Sequence, residues 1–119
     1  MRRVIKTGKV VGPYSPAIET SRIRQIYVSG QIATDLDADI KTQTEQVIQK
    51  IENILGEVDA FLSDIVKTTI YLVDINDFAA VNEVYAKSFP SDPPARATIQ
   101  VAALPLGARI EIEAIATRD

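Results

Sequence analysis

The alternation of apolar and polar residues changes period several times along the chain, and each change marks an element. Ile26-Tyr27-Val28-Ser29 is β-branched and aromatic and closes on Gly30, which predicts a strand. Ahead of it, parts of Val4 to Val11 and Ala17 to Thr20 read as an earlier strand or hairpin, with Gly12-Pro13 as the turn between them. From about Ile40 to Val58 the period becomes helical: Val47, Ile48, Ile51, Ile54, Leu55 and Val58 form one apolar stripe. Thr42 and Glu45 stand at capping-box spacing near its start. Gly56 weakens the last turn by about 1 kcal/mol relative to alanine, and Asp59 suits the left-handed position that ends a helix. Ile65 to Val73 is rich in Val, Ile, Thr and Tyr and predicts a strand. A second helix carries Phe78, Val81, Val84, Tyr85 and Phe89 on one face, and Pro90 and Pro93-Pro94 stop it. Arg96 to Val101 and Ile110 to Thr117 are the last two strands, joined across Leu104-Pro105-Leu106-Gly107.

The order ββ(β)αβαββ describes an α+β fold with one mixed sheet and two helices packed on one face. Alternate positions place Tyr27, Ser29, Thr69, Tyr71, Arg96, Thr98, Gln100, Glu111 and Glu113 on the opposite face. A face of that mixed kind is either solvated or a subunit interface with a site in it, and the enrichment of Tyr and Arg at interfaces favours a homo-oligomer.

Composition narrows the chemistry. The chain has 119 residues, 46% of them hydrophobic and 24% charged, ordinary globular usage. With no repeat, low-complexity segment or linker, it reads as one domain over residues 1–119. A net charge of −3 and the lack of a basic stripe argue against nucleic acid, and Arg2-Arg3 reads as a solvated end. There is no Cys and no His, which removes disulfides, Ser-His-Asp and Cys-His catalysis, and zinc sites of those ligands. No apolar run approaches membrane length and no leader-like stretch precedes the first strand. The expectation is a soluble, cytoplasmic protein without a membrane partner.

Pro93-Pro94-Ala95-Arg96-Ala97-Thr98 is the most informative stretch. Two prolines fix the approach, small neighbours leave the guanidinium uncrowded, and arginine's planar fork matches a carboxylate with two charge-assisted hydrogen bonds. On spacing alone, a structural salt bridge from Arg96 to one of the 16 acids remains open. Glu111 and Glu113 share a strand face roughly 7 Å apart, a separation that allows acid/base work through a water and equally describes a solvated edge. Tyr14 follows the rigid Gly12-Pro13 turn, and Gly30 lets a ligand approach the backbone. Asn82 either caps a neighbouring loop or touches a ligand. No glycine spacing forms a phosphate loop.

Taken in order, these segments form a series: Gly12-Pro13-Tyr14-Ser15-Pro16-Ala17, Val28-Ser29-Gly30-Gln31-Ile32, Asp64-Ile65-Val66-Lys67-Thr68-Thr69 and Asn76-Asp77-Phe78. It continues through Val81-Asn82-Glu83-Val84-Tyr85, Pro94-Ala95-Arg96, Val101-Ala102-Ala103-Leu104-Pro105 and Ile110-Glu111-Ile112-Glu113-Ala114. The series resembles the reactive intermediate deaminase (RidA/YjgF) family, from about Gly12 to the C-terminus and most densely from Asn76 onward. The resemblance implies a chorismate-mutase-like fold, a homotrimer with sites between subunits, and hydrolysis of 2-imino and 2-enamino acids to 2-oxo acids and ammonia. The activity is that of a 2-iminobutanoate/2-iminopropanoate deaminase, a hydrolase acting on C–N bonds. It further implies that Arg96 binds the substrate carboxylate and that Glu111 positions the attacking water. Tyr14 and Gly30 line the pocket, and Thr98 offers a backbone group. No metal or cofactor is required, in keeping with the missing His and Cys. Three departures stand out: many relatives have Cys at the Thr98 position, the loop Ala33 to Lys41 is short, and Gly often stands where this chain has Asp59. The reading from another class is a non-catalytic trimeric binder or sensor of 2-oxo acids. Ribonuclease activity, sometimes attached to such proteins, finds no support in the acidic charge balance.

Overall fold

The computed structural model describes residues Met1–Asp119. Six strands and two longer helices follow in chain order: β1 (Arg2–Ile5), β2 (Ala17–Thr20), β3 (Arg24–Ile32), α1 (Ile40–Gly56), β4 (Ile65–Leu72), α2 (Phe78–Ser88), β5 (Ala95–Gln100) and β6 (Ile110–Arg118). The main sheet has the order β3-β6-β4-β5. Its β4–β5 pair is parallel, as a crossover through α2 requires, and the pairs around β6 are antiparallel. The mixed sheet with two helices agrees with the element order read from the periodicity. The first two strands depart from it, because they pair only with each other and form a separate antiparallel ribbon.

That ribbon corrects the reading of a solvated end for Arg2, whereas Arg3 is exposed as expected. Nη2 of Arg2 donates to the carbonyls of Ile65 and Asp92, each at 3.0 Å, and Arg3 pairs with Glu19 at 2.9 Å. These contacts draw the first strand forward to Arg2–Ile5, leaving Lys6 to Val11 exposed and outside any strand. Asp64 ties the far end of the sheet, accepting from Arg22 at 2.9 Å and from Arg118 at 3.2 Å.

Alternation within each strand separates two faces of the main sheet. Ile70, Leu72, Ile110, Ile112, Ala114 and Ala116 are buried and meet Val47, Ile48, Ile51 and Leu55 of α1 with Val81 and Tyr85 of α2 in one core. Each large aliphatic side chain buried this way contributes about 1.5–3 kcal/mol. The α1 stripe is narrower than its spacing predicts. Ile54 and Val58 are each 38% exposed, because Ile54 lies on the flank of the stripe and the helix ends at Gly56. Asp59 does take the left-handed conformation, at φ 59°. The Ala60 N–H bonds the Leu55 carbonyl at 2.9 Å and the Asp59 N–H bonds that of Gly56 at 3.2 Å, the double closure of a Schellman ending.

At the other end of α1 the cap is Asp39 rather than the Thr42–Glu45 pair. Its carboxylate accepts from the Thr42 N–H at 2.7 Å, since an N-cap must sit outside the first helical residue and Thr42 is already inside. This backbone hydrogen bond holds the Asp39 carboxyl below its ordinary value. A carboxylate depressed by folding stabilises the native state above its unfolded value, and that contribution is lost as pH falls through the folded value. Asp39→Ala is therefore expected to lower the thermal midpoint at neutral pH, with the deficit shrinking in acid. A deficit independent of pH in thermal melts from pH 7 down to pH 3 contradicts the assignment.

No helix is long and apolar enough to cross a membrane.

Candidate functional site

The segment that delivers Arg96 is fixed before the strand begins. Ser15 donates from its N–H to the Pro94 carbonyl at 3.1 Å and from its hydroxyl to the Pro93 carbonyl, and Ser15 forms a parallel bridge with Ala95. Proline cannot donate, so the Pro93-Pro94 pair serves here as an acceptor rail for the turn that carries Tyr14. Within that turn the Tyr14 N–H reaches the Gly12 carbonyl at 2.9 Å. The result brings two segments some eighty residues apart in sequence against one guanidinium.

Arg96 lies on the helix side of the sheet, which corrects the face predicted for β5. In the parallel register Arg96 pairs with Thr68, Thr98 with Ile70 and Gln100 with Leu72, all partners whose side chains are buried under the helices. Alternation groups residues that share a face, but the crossover decides which face that is. β5 is an edge strand, so its Arg96 can face the helices and still reach the rim. There its guanidinium carbon sits 5.4 Å from the ring centre of Tyr14, 5.5 Å from that of Phe78 and 5.1 Å from that of Tyr85. Each such contact is worth about 0.5–2 kcal/mol, the more so where water is excluded.

No carboxylate pairs with Arg96, so the salt-bridge alternative is not realised in this chain. Four buried side-chain polar atoms lack a partner, and three of them are Nη1 of Arg96, Oδ1 of Asn82 and Oγ1 of Thr98. Buried polar atoms are nearly always satisfied. Arg96 and Asn82 are drawn together at Gly12, where a Cβ would lie 3.1 Å from Nη2 of Arg96 and 3.2 Å from Nδ2 of Asn82. Burial pulls the Arg96 guanidinium below its ordinary value, and the neighbouring tyrosines offset part of that. A cation with open N–H edges, a dry wall and unpaired hydrogen-bonding groups can take up a small carboxylate.

A second cluster lies on the other face. The register of β3 against β6 slips between Val28 and Gln31, a bulge that accommodates Ser29-Gly30. Gly30 there faces the Glu111 side chain so closely that a Cβ would lie 2.3 Å from Oε2. Tyr71 separates the two glutamates by donating to Oε1 of Glu113 at 2.7 Å, a bond that raises the Tyr71 phenol above its ordinary value. Glu113 is thereby engaged, whereas Glu111 keeps its carboxylate free over the bulge and can hold a water.

The structure thus brings Tyr14, Asn82 and Arg96 together, with Thr98 two residues on along the same face of β5, and places Gly30 with Glu111, but it does not join the two groups within one chain. β4 stands between β5 and β6, so the strands carrying Arg96 and Glu111 are about 10 Å apart across the sheet, with side chains on opposite faces. Gly12, Phe78 and Tyr85 also border Arg96 and are absent from the sequence-based site. Their signal was present: Phe78, Asn82 and Tyr85 follow the i, i+4, i+7 spacing of one helix face, but Phe78 and Tyr85 read equally well as core.

Known proteins are similar to this chain over nearly its whole length. The family profile described as Endoribonuclease L-PSP matches residues 5–118. A RutC family protein of Pyrococcus abyssi is 46% identical over 120 residues, covering 96% of this chain and 93% of the relative. The human 2-iminobutanoate/2-iminopropanoate deaminase is 45% identical over 125 residues, covering 98% of this chain and 90% of that protein. Among solved structures, a Yersinia pestis protein of the conserved Rid family, YyfB, superposes with a TM-score of 0.85 at 30% identity, covering 98% of both chains. The match runs through both clusters and nearly end to end, and the chain belongs to the reactive intermediate deaminase (RidA/YjgF) family.

Proposed function

We propose that this protein is a 2-iminobutanoate/2-iminopropanoate deaminase, hydrolysing small 2-imino acids and their enamine tautomers to 2-oxo acids and ammonia. The observation that carries the reading is the uncompensated Arg96 guanidinium next to Asn82, whose Oδ1 is also buried and unpaired, a receptor for a carboxylate with a polar group next to it. The human relative named for this activity supports the same substrate class.

The chemistry needs little beyond position. Arg96 holds the carboxylate, Thr98 and Asn82 bracket the group beside it, and Tyr14 closes one side. Glu111 orients a water towards the iminium carbon and accepts its proton as the C–O bond forms. Glu111 returns that proton to the nitrogen of the resulting 2-amino-2-hydroxy acid, the C–N bond breaks as the hydroxyl proton passes to the departing ammonia, and a 2-oxo acid is left behind. Water enters once per turnover and no electron pair leaves the system. Holding the reacting carbon and the water together supplies much of the rate enhancement.

Since Arg96 and Glu111 face opposite ways in one chain, the reaction requires a second copy. In the proposed homotrimer, the Arg96 cleft of one subunit meets the Gly30–Glu111 edge of the next. The uncovered face of the sheet supports such packing, with Tyr27 69% and Ile99 46% exposed.

The lone chain also supports a second reading, a trimeric binder of 2-oxo acids, because no carboxylate stands at Arg96 to activate water. One experiment separates the two. Added to a dehydratase reaction that releases 2-aminoacrylate, the protein is expected to speed formation of pyruvate and ammonia. Glu111→Gln is expected to bind 2-oxobutanoate normally while losing about 10²-fold or more in turnover. Absence of acceleration by the parent protein, with 2-oxobutanoate binding intact, establishes the binder instead.

A further inference from the structure

We infer that Tyr85 is the positioning residue of Arg96, and that its ring and hydroxyl together hold the guanidinium in the plane in which it receives a carboxylate. The inference rests on the carboxylate role proposed for Arg96 and adds the device that keeps that group ready.

Three rings surround Arg96, and they are held very differently. Tyr14 sits on a turn and Phe78 is the first residue of α2; both are only partly buried. Tyr85 is 1% exposed and stands nearest to the guanidinium, at 5.1 Å. Behind it, the Phe89 ring lies 4.5 Å away, centre to centre. Its hydroxyl is tied to the Thr68 hydroxyl at 2.8 Å, and Thr68 is the residue that pairs with Arg96 across the parallel strands. A closed circuit follows: from the Arg96 backbone to Thr68, through the hydroxyl pair to Tyr85, and from its ring back to the Arg96 side chain. A long arginine side chain has many rotamers, and ordering it on binding costs affinity. The circuit orders it beforehand.

The chemistry of the platform matters as much as its rigidity. A carboxylate in the place of Tyr85 would neutralise Arg96 and compete with any ligand. An aromatic face steadies the cation without using its N–H groups, which leaves Nη1 without a partner. Burial pushes the Tyr85 phenol up to about 12, so the platform stays neutral throughout the working pH range and never becomes a counter-ion. Phe78, Asn82 and Tyr85 then form one stripe of α2 with a shared task, the first and last bordering the cation and the middle one offering a polar group.

The test measures 2-oxobutanoate binding by calorimetry and turnover separately, for the parent, Tyr85→Phe and Tyr85→Leu. Tyr85→Leu is expected to weaken binding about tenfold and to raise KM in step, with kcat changing less. Tyr85→Phe keeps the ring and is expected to weaken binding only about threefold, while melting earlier than the parent because the buried Thr68 hydroxyl loses its partner. In nitrogen-resolved NMR spectra the Arg96 Nε–H signal should be sharp in the parent and Tyr85→Phe, and broadened in Tyr85→Leu. Should Tyr85→Leu fail to fold, Tyr85→Met serves with the same expectation. A Leu or Met variant that melts earlier yet binds within twofold of the parent overturns the inference and leaves the deaminase reading intact. A parent that binds no 2-oxo acid overturns the carboxylate role of Arg96 and this inference with it. A parent that binds without turnover removes the deaminase reading alone, and the affinity series still decides the role of Tyr85.

Discussion

Arg96→Met is expected to abolish carboxylate binding while leaving the protein at least as stable as the parent. The two halves of that expectation have separate causes. Truncating a hydrogen-bonded charge at a buried ion pair typically costs 2–5 kcal/mol, and a loss of about 3–4 kcal/mol corresponds to about 150- to 900-fold in affinity for 2-oxobutanoate. Turnover should fall by at least the same factor. Stability should move the other way, because in the free protein Arg96 has no acidic partner and its Nη1 is buried without a bond. Methionine follows a similar path past the rings, replaces the cation–π contacts with sulfur–aromatic ones, and removes a buried charge that has no acidic partner. Function and stability commonly oppose one another at such sites. Thermal melts and calorimetry on the same preparation provide the check. A variant that melts well below the parent means that Arg96 is a structural prop, and one that binds normally removes the site.

Gly30→Ala is expected to cost about as much turnover as Glu111→Gln, on the order of 10²-fold, with little loss of fold. A Cβ at position 30 would lie 2.3 Å from Oε2, 2.6 Å from Cδ and 3.0 Å from Cγ of Glu111. All three atoms belong to a side chain that can swing aside, so the backbone need not move. What moves is the carboxylate that holds the water. Gly30 is required here for space rather than for an unusual backbone angle. If the two residues act as a unit, their effects do not add: the Gly30→Ala/Glu111→Gln double variant should be no slower than Glu111→Gln alone. Independent, multiplying losses show that Gly30 acts on something other than Glu111. Unchanged turnover in Gly30→Ala contradicts the assignment of Glu111.

The elements were legible in the periodicity because each has a buried face that imposes it. The α1 stripe, the strand from Ile65 and the alternation of Ile110-Glu111-Ile112-Glu113 all reappear in the core. Local chemistry was legible where one residue decides, as with the left-handed Asp59. It misled where neighbours compete for a role: Asp39, not Thr42, caps α1. The roles expected of Arg96 and Glu111 came from the resemblance of the motif series, since spacing alone left a salt bridge and a solvated edge equally open.

What lay beyond the chain's own pattern were the relations between elements. Alternation has a period but no absolute phase, so it could not say that Arg96 faces the helices; the parallel register with Thr68 settles that. Nor could it place Tyr14 beside Arg96, which depends on Ser15 bonding to Pro93 and Pro94. Phe78 and Tyr85 are apolar enough to be core by composition and become walls of a site only through the crossing of α2 over β5. The separation of Arg96 from Glu111 is likewise a matter of strand order, with β4 between them. Sequence spacing reports which residues travel together on one element, whereas a binding site is made where elements meet.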